Sequence, residues 1–381
     1  MTSSSNRPPV TILCGFLGAG KTTLLQYLLT QAEGRRWAAV VNDVAAINID
    51  GAVVTLTAGN RTIVELGNGC VCCSSKDELA ESLAELAATG TFDHLLVETT
   101  GVAEPRALAN LFLRKNPFGR SLGDFATLAS LVTVVDAPAF HAAWAQSRSE
   151  GRTAVQGTDR PVIELMIEQV ECADVLVLNK CDAISSEVQA ELEAILQGLN
   201  RRAEIVGTER GQISAEYLLD RVRFDPVATL GAADWIHSLN ALAPGKSPGW
   251  IQPKPVAAHE AKYGIVHFTF QARRPFRKDA LEALVRSGLP GLLRAKGFFW
   301  LQERPDEMGF LSVAGGVVRF DYLSYWWAAM VESGKVRLAD RPAPIVAAWV
   351  EPHGDRRQEL VFIGVRLDEA AARAALEACL V

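Results

Sequence analysis

The 381-residue chain has no apolar run long enough to cross a bilayer, which takes about 20 such residues, so no membrane association is expected. It also lacks a basic excess. Its 38 Lys and Arg face 44 Asp and Glu, and the net charge of −6 has the wrong sign for nonspecific attraction to nucleic acid. Residues 1–9 contain no apolar core of the kind a secretory leader needs. They read as a short polar tail, and the cytoplasm is the expected compartment. Seven cysteines, an odd number in a reducing compartment, make no disulfide framework and favour thiol or metal chemistry. What the chain does have is apolar mass: 49% hydrophobic residues over this length can fill two domain cores.

The stretch Gly15-Phe16-Leu17-Gly18-Ala19-Gly20-Lys21-Thr22-Thr23 fits G-x-x-x-x-G-K-[ST], a phosphate-binding loop. An apolar strand is expected before it (10–14) and a helix after it (23–31), the context the motif needs. Gly15, Gly18, Ala19, Gly20, Lys21, Thr22 and Thr23 are the expected phosphate contacts, because glycines let backbone amides wrap an anion at a helix start. Lys21 should reach the β- and γ-phosphates, and the Thr22 hydroxyl should bind Mg2+. Residues 38–42 read as a second strand. The following segment carries Asp43, Asn48 and Asp50, which suit a mobile switch loop or plain turns and caps. A hairpin is expected over 53–57 and 62–66, around Gly59-Asn60.

Gly67-Asn68-Gly69-Cys70-Val71-Cys72-Cys73 places three thiols within four residues. Ser75-x-x-Glu78 is a capping box opening a helix to about residue 88, and a helix N-terminus favours thiolate. Cys70, Cys72 and Cys73 could hold a thiophilic ion such as zinc or copper(I). A redox switch and inert packing are the alternatives. Next, a strand over 94–98 delivers Glu98-Thr99-Thr100-Gly101. Glu98 at a strand end is the expected second magnesium anchor, and Gly101 can offer an amide to the γ-phosphate. A helix over 105–113, a strand over 131–136 and a helix over 161–172 follow.

A strand over 174–178 leads into Asn179-Lys180-Cys181-Asp182, an N-K-x-D motif. The Asp182 carboxylate can accept from guanine N1 and N2, a donor pair that adenine lacks. Asn179 can bond the purine edge, and the Lys180 stem can lie over the ring. A helix over 187–199 and a strand over 204–207 come next, and Thr208, Glu209 and Arg210 are expected to close over the base. The proline-rich composition between about 226 and 262 marks a linker. Beyond it, strands are expected over 264–271, 298–302, 309–313, 317–322 and 358–365, with helices over 279–287 and 368–380. Trp250, Trp300, Trp326, Trp327 and Trp349 read as core and interface anchors.

With these four motifs in this order, the chain resembles the CobW-type GTPases across nearly its whole length. The run Lys296-Gly297-Phe298-Phe299-Trp300 and the closing Glu359-Leu360-Val361-Phe362-Ile363-Gly364 resemble that family's C-terminal domain. The resemblance implies an α/β fold: a P-loop GTPase domain with a mainly parallel sheet over 1–225, a linker over 226–262, and a smaller α+β domain over 263–381. It also implies a GTP-hydrolysing metallochaperone, with Lys21, Thr22 and Glu98 at the reaction centre and Cys70, Cys72 and Cys73 as the metal site. GTP, Mg2+ and Zn2+ (or Co2+ or Fe2+) are the implied cofactors. A client metalloprotein is the implied partner, with a homodimer left open. Iron or cobalt insertion into nitrile hydratase is the alternative within the family. A redox-sensing regulatory GTPase is the alternative outside it, and a P-loop kinase is disfavoured by Asp182. The chain departs from many relatives at Asn42-Asp43-Val44-Ala45-Ala46, where they carry Asn-Glu-Phe-Gly-Glu. It also has only His259 and His267 where zinc-handling relatives have a histidine-rich loop. The ending Asn48-Ile49-Asp50 resembles a subgroup linked to zinc starvation and favours zinc.

Overall fold

The computed structural model describes residues 7–32, 34–41, 55–58, 61–65, 74–116, 119–149, 162–226, 264–314 and 317–381. The switch segment, the three clustered cysteines and the proline-rich linker lie outside them. The chain divides into two compact units, each with its own sheet.

The first unit is built on β1 (Pro9–Cys14), α1 (Lys21–Thr30), β2 (Trp37–Val41), β3 (Thr55–Ala58), β4 (Arg61–Glu65), α2 (Ser74–Ala88), β5 (His94–Glu98), α3 (Pro105–Leu113) and β6 (Thr127–Asp136). It continues through α4 (Ala137–Ser149), α5 (Val162–Cys172), β7 (Val175–Asn179), α6 (Ser186–Leu199), β8 (Glu204–Gly207) and α7 (Ala215–Leu219), although α4 from Trp144 on and α5 as far as Glu164 group with the second unit. Its strand order is β3-β4-β2-β5-β1-β6-β7-β8. Every neighbouring pair is parallel except the β3–β4 hairpin. Parallel strands covered on both faces read as unbroken apolar runs, and β2, β5 and β7 are buried at every position. Alternation then sorts the side chains. Leu13, Ala39, Leu96, Val134 and Val177 face α1 and α7, with Leu24, Leu28 and Leu218. Ile12, Val40, Leu95 and Val97 face α2 and α3, with Leu79, Leu83, Leu108 and Phe112. Because the strands are parallel, all their carboxyl ends open on one edge, where ligands bind in such sheets.

One buried polar pair has a measurable consequence. His94, the first residue of β5, is buried, and its Nε2 lies 2.9 Å from Thr11 Oγ1. Burial lowers its pKa from 6.5 to about 4; the smaller effect of Asp220 opposes this and that of Arg35 adds to it. The unfolded chain therefore binds a proton at His94 that the folded chain refuses, and stability falls as pH drops from about 6.5 towards 4. The loss attributable to His94 is at most about 3 kcal/mol. Urea unfolding at pH 7 and pH 4.5 should show a smaller acid loss in His94→Gln than in the parent chain. Equal losses would refute this assignment.

The second unit comprises β9 (Ile265–Ala272), α8 (Lys278–Ser287), β10 (Leu292–Phe299), β11 (Glu307–Ala314), β12 (Val317–Tyr325), α9 (Trp327–Glu332), α10 (Ala343–Ala348), β13 (Gln358–Val365) and α11 (Glu369–Ala378). Its sheet runs β12-β11-β10-β13-β9, antiparallel throughout. Leu281, Val285, Ala372 and Leu376 of α8 and α11 bury against Phe268, Phe270 and Phe362. The expected strand over 298–302 is displaced: β10 begins at Leu292, and Leu301 makes only a single bridge to Phe276. The charged Arg294 and Lys296, with Gly297, disguise a strand that is buried nearly throughout. Arg294 donates to Ser312 Oγ (2.9 Å) and to the Val313 carbonyl (3.2 Å). Gly297, at φ 148°, lies so close to β13 that a Cβ would stand 2.0 Å from the Glu359 oxygen. Trp300 and Trp326 are buried, as anchors should be. Among the described residues, no helix is long and apolar enough to cross a membrane.

Candidate nucleotide site

β1 ends at Cys14, and the loop that follows it needs its glycines. Gly15 has φ 139°, and a Cβ there would lie 2.3 Å from the Val134 oxygen of β6. Gly20 adopts the left-handed conformation at the start of α1 (φ 98°, ψ 25°), with room for no Cβ beside Asn179 Nδ2 at 2.4 Å. Ala19 is fully buried, and its amide donates to the Phe16 carbonyl (3.2 Å). The Lys21 side chain folds back into the loop, where Nζ donates to the carbonyls of Gly15 (3.0 Å) and Phe16 (3.3 Å). Thr23 is exposed, one position beyond.

Two residues 76 positions apart meet beside this loop: the Thr22 hydroxyl donates to Glu98 Oε1 at 2.5 Å. Glu98 closes β5 and is fully buried. Thr99 then ties the chain back to β1, with its amide and hydroxyl both 3.1 Å from the Leu13 carbonyl. Gly101 packs onto the phosphate loop so closely that a Cβ would stand 2.6 Å from both the Leu17 nitrogen and Cγ. Gln169 of α5, which is buried, donates to the Gly101 carbonyl (3.1 Å) and the Ala103 carbonyl (3.2 Å). Its own carbonyl accepts from the Thr133 hydroxyl (2.9 Å). Gln169 carried no signal in the sequence, being one polar residue in an amphipathic helix.

β7 delivers the N-K-x-D loop to the same edge. Asn179 is buried, and its amide is engaged at both ends: Nδ2 donates to the Ala19 carbonyl (2.8 Å), and Oδ1 accepts from the Gly211 amide (3.0 Å). It braces the phosphate loop against the loop after β8, a role the sequence reading, which gave it the purine edge, missed. Lys180 sits in the left-handed region (φ 62°), and its Nζ lies 2.5 Å from Asp136 Oδ2 at the end of β6. Asp182 is exposed on the short turn that follows. Thr208 is buried, with its amide on the Leu178 carbonyl (2.8 Å) and its hydroxyl on the Gln212 carbonyl (3.1 Å). Glu209 and Arg210 are exposed, and Gly211 turns back against Leu24.

Cys70, Cys72 and Cys73 lie outside the described residues, but their flanks are placed. Glu65 ends β4 in register with Val41, which is in register with Glu98 and so with Leu13. Two strand spacings, about 10 Å, separate Glu65 from the Glu98 backbone. The chain re-enters at Ser74, where α2 begins. The other four cysteines are free thiols, with Cys181 partly buried. Cys14, Cys172 and Cys379 are buried. Burial raises the Cys14 thiol to about 12 and moves Cys181 and Cys379 upward as well. Among the described residues, no group of three or more His, Cys, Asp or Glu is gathered that could hold a metal ion.

A strand–loop–helix whose threonine meets a strand-end acid, with an N-K-x-D turn on the same parallel edge, defines a nucleotide-binding domain of the P-loop GTPase class. Residues 9–207 match the CobW/HypB/UreG nucleotide-binding domain model, and residues 265–380 match the cobalamin synthesis protein CobW C-terminal domain model. A zinc-regulated GTPase metalloprotein activator 1 of Dictyostelium discoideum is 32% identical over 93% of this chain and 76% of its own length. A zinc chaperone CobW of Pseudomonas aeruginosa is 35% identical over 55% of this chain and 59% of its own. The Escherichia coli zinc chaperone YjiA is 26% identical over 96% of each. The chain belongs to the CobW family.

Proposed function

We propose that this protein is a GTP-hydrolysing metallochaperone that binds Zn2+ at Cys70, Cys72 and Cys73 and hands it to a client metalloprotein in the cytoplasm. The observation that carries the reading is the Thr22–Glu98 pair, in the same strand row as Glu65, from which the cysteine segment departs. Two hard oxygen donors side by side suit Mg2+, which supplies charge neutralisation on the β- and γ-phosphate oxygens. Lys21 holds those phosphates, the Gly101 amide meets the γ-phosphate, and Asp182 accepts from guanine N1 and N2 while the Lys180 stem lies over the ring. The names of the relatives favour zinc over cobalt or iron, and none of those names points to nitrile hydratase. Residues 1–225 form the nucleotide domain, 226–262 the linker and 263–381 the C-terminal domain, with a monomer and a homodimer both compatible.

Nucleotide and cargo metal are linked, and linkage is reciprocal: a factor in metal affinity between nucleotide states returns as the same factor in nucleotide affinity. Zinc titration against a competing chelator should give dissociation constants differing about five- to hundredfold between GDP and a nonhydrolysable GTP analogue. Cys72→Ser should weaken binding in both states, because a serine hydroxyl stays protonated and binds a soft ion poorly. Equal zinc affinity in parent and variant, in both nucleotide states, would overturn the metallochaperone reading and advance the redox one.

A further inference from the structure

The ion pair between Asp136 and Lys180 serves no obvious need of the core. Asp136 is the last residue of β6 and the register partner of Asn179 on β7. Its side chain is 9% exposed, and both oxygens are assigned. Oδ1 accepts from the Ala139 amide at 2.9 Å, capping α4, and Oδ2 meets Lys180 Nζ at 2.5 Å. Lys180 reaches it from a left-handed backbone, which lysine rarely adopts and which proteins retain where surrounding structure enforces it. The lysine side chain is still 42% exposed although its head is tied to Asp136, which leaves part of it open to a ligand. Asp182, the expected reader of the base edge, is two residues further on the same turn.

We propose that Asp136 is a positioning residue for nucleotide recognition. By holding the Lys180 head, it fixes the lysine stem as a preformed apolar wall for the purine face. This rests on the GTP-binding reading and adds a residue on a neighbouring strand to the base pocket. A stem ordered before the ligand arrives loses less conformational freedom on binding, and the affinity gain follows from that. The wall contacts any purine face, so Asp136 sets affinity for purine nucleotides and leaves the choice of guanine to Asp182.

The test compares Asp136→Asn and Asp136→Ser, both of which keep a cap acceptor for Ala139, with Lys180→Met and the two double variants. Fluorescent GDP and IDP analogues report affinity, and steady-state hydrolysis separates KM from kcat. Each Asp136 variant should bind GDP and IDP about five- to tenfold more weakly, with the loss falling on KM more than on kcat. In the Lys180→Met background, the same substitutions should add less than twofold. Full additivity with Lys180→Met, or unchanged affinity in both Asp136 variants, overturns the proposal. A selective loss for GDP over IDP overturns it too, since that would place Asp136 at the guanine edge. Failure of the parent chain to prefer GDP over ADP would instead strike at the GTP-binding reading, and is separately visible.

Discussion

Lys21→Ala should lower GTP hydrolysis about a hundred- to a thousandfold, the scale on which a single preorganised charge donor to a reacting group contributes. The lysine is placed for this: it is buried at the loop, with Nζ on the carbonyls of Gly15 and Phe16, so the cation is already at the phosphate cradle. Both Lys21 and Thr22 also make contacts within the fold. Lys21→Ala deprives two loop carbonyls of a charged donor, and Thr22→Ala deprives the fully buried Glu98 of a hydroxyl. Each loss should cost about 1–3 kcal/mol of stability. Single-turnover hydrolysis together with thermal melts, with and without GDP, reads both effects. GDP should raise the melting temperature of the parent chain and do so far less for Lys21→Ala. Undiminished turnover in Lys21→Ala would refute the phosphate-loop assignment.

Asn179→Ala should be the most damaging single change on the base side, through architecture as much as recognition. It leaves the Ala19 carbonyl and the Gly211 amide without their shared partner in a buried setting. The expected cost is about 2–4 kcal/mol, summed over two unsatisfied groups. Nucleotide affinity should fall by at least about tenfold as the phosphate loop and the loop after β8 lose their common brace. Asp182→Ala makes the contrast: it is exposed, so guanine preference should vanish with little change in stability. Urea unfolding beside GDP and ADP binding separates the two. An Asn179→Ala protein as stable as its parent, and altered only in base preference, would show the amide reading the base rather than bracing loops.

The parallel sheet was legible because buried strands announce themselves as apolar runs. Residues 94–98 match the buried β5 to the residue, and 204–207 match β8, an edge strand that is only partly buried; in the antiparallel sheet, 358–365 match β13. The antiparallel pairing of β3 with β4 agrees with the hairpin expected over 53–57 and 62–66, with shifted bounds; residues 59 and 60 lie outside the described ones. The helix α4 was not, because Asp136 both ends β6 and caps α4, leaving no turn residue between them to mark the change. Nor was α9, whose amides at Trp327 and Ala328 are capped by the Asp355 carboxylate from far along the chain (3.0 and 2.8 Å). Within the site, motifs single out the residues proposed to meet the ligand. They were silent on Asp136, Gln169 and Gly211, because bracing is a relation between loops and has no local spacing.

The contact of Gly101 with Leu17 bears on how a nucleotide signal leaves the phosphate loop. With no space for a single methyl between them, residues 98–101 cannot slide past the loop without pushing it. Close-packed matter transmits displacement instead of absorbing it. Gln169 holds the carbonyls of Gly101 and Ala103 from α5, so a displacement of the phosphate loop would be felt at α5 through this contact.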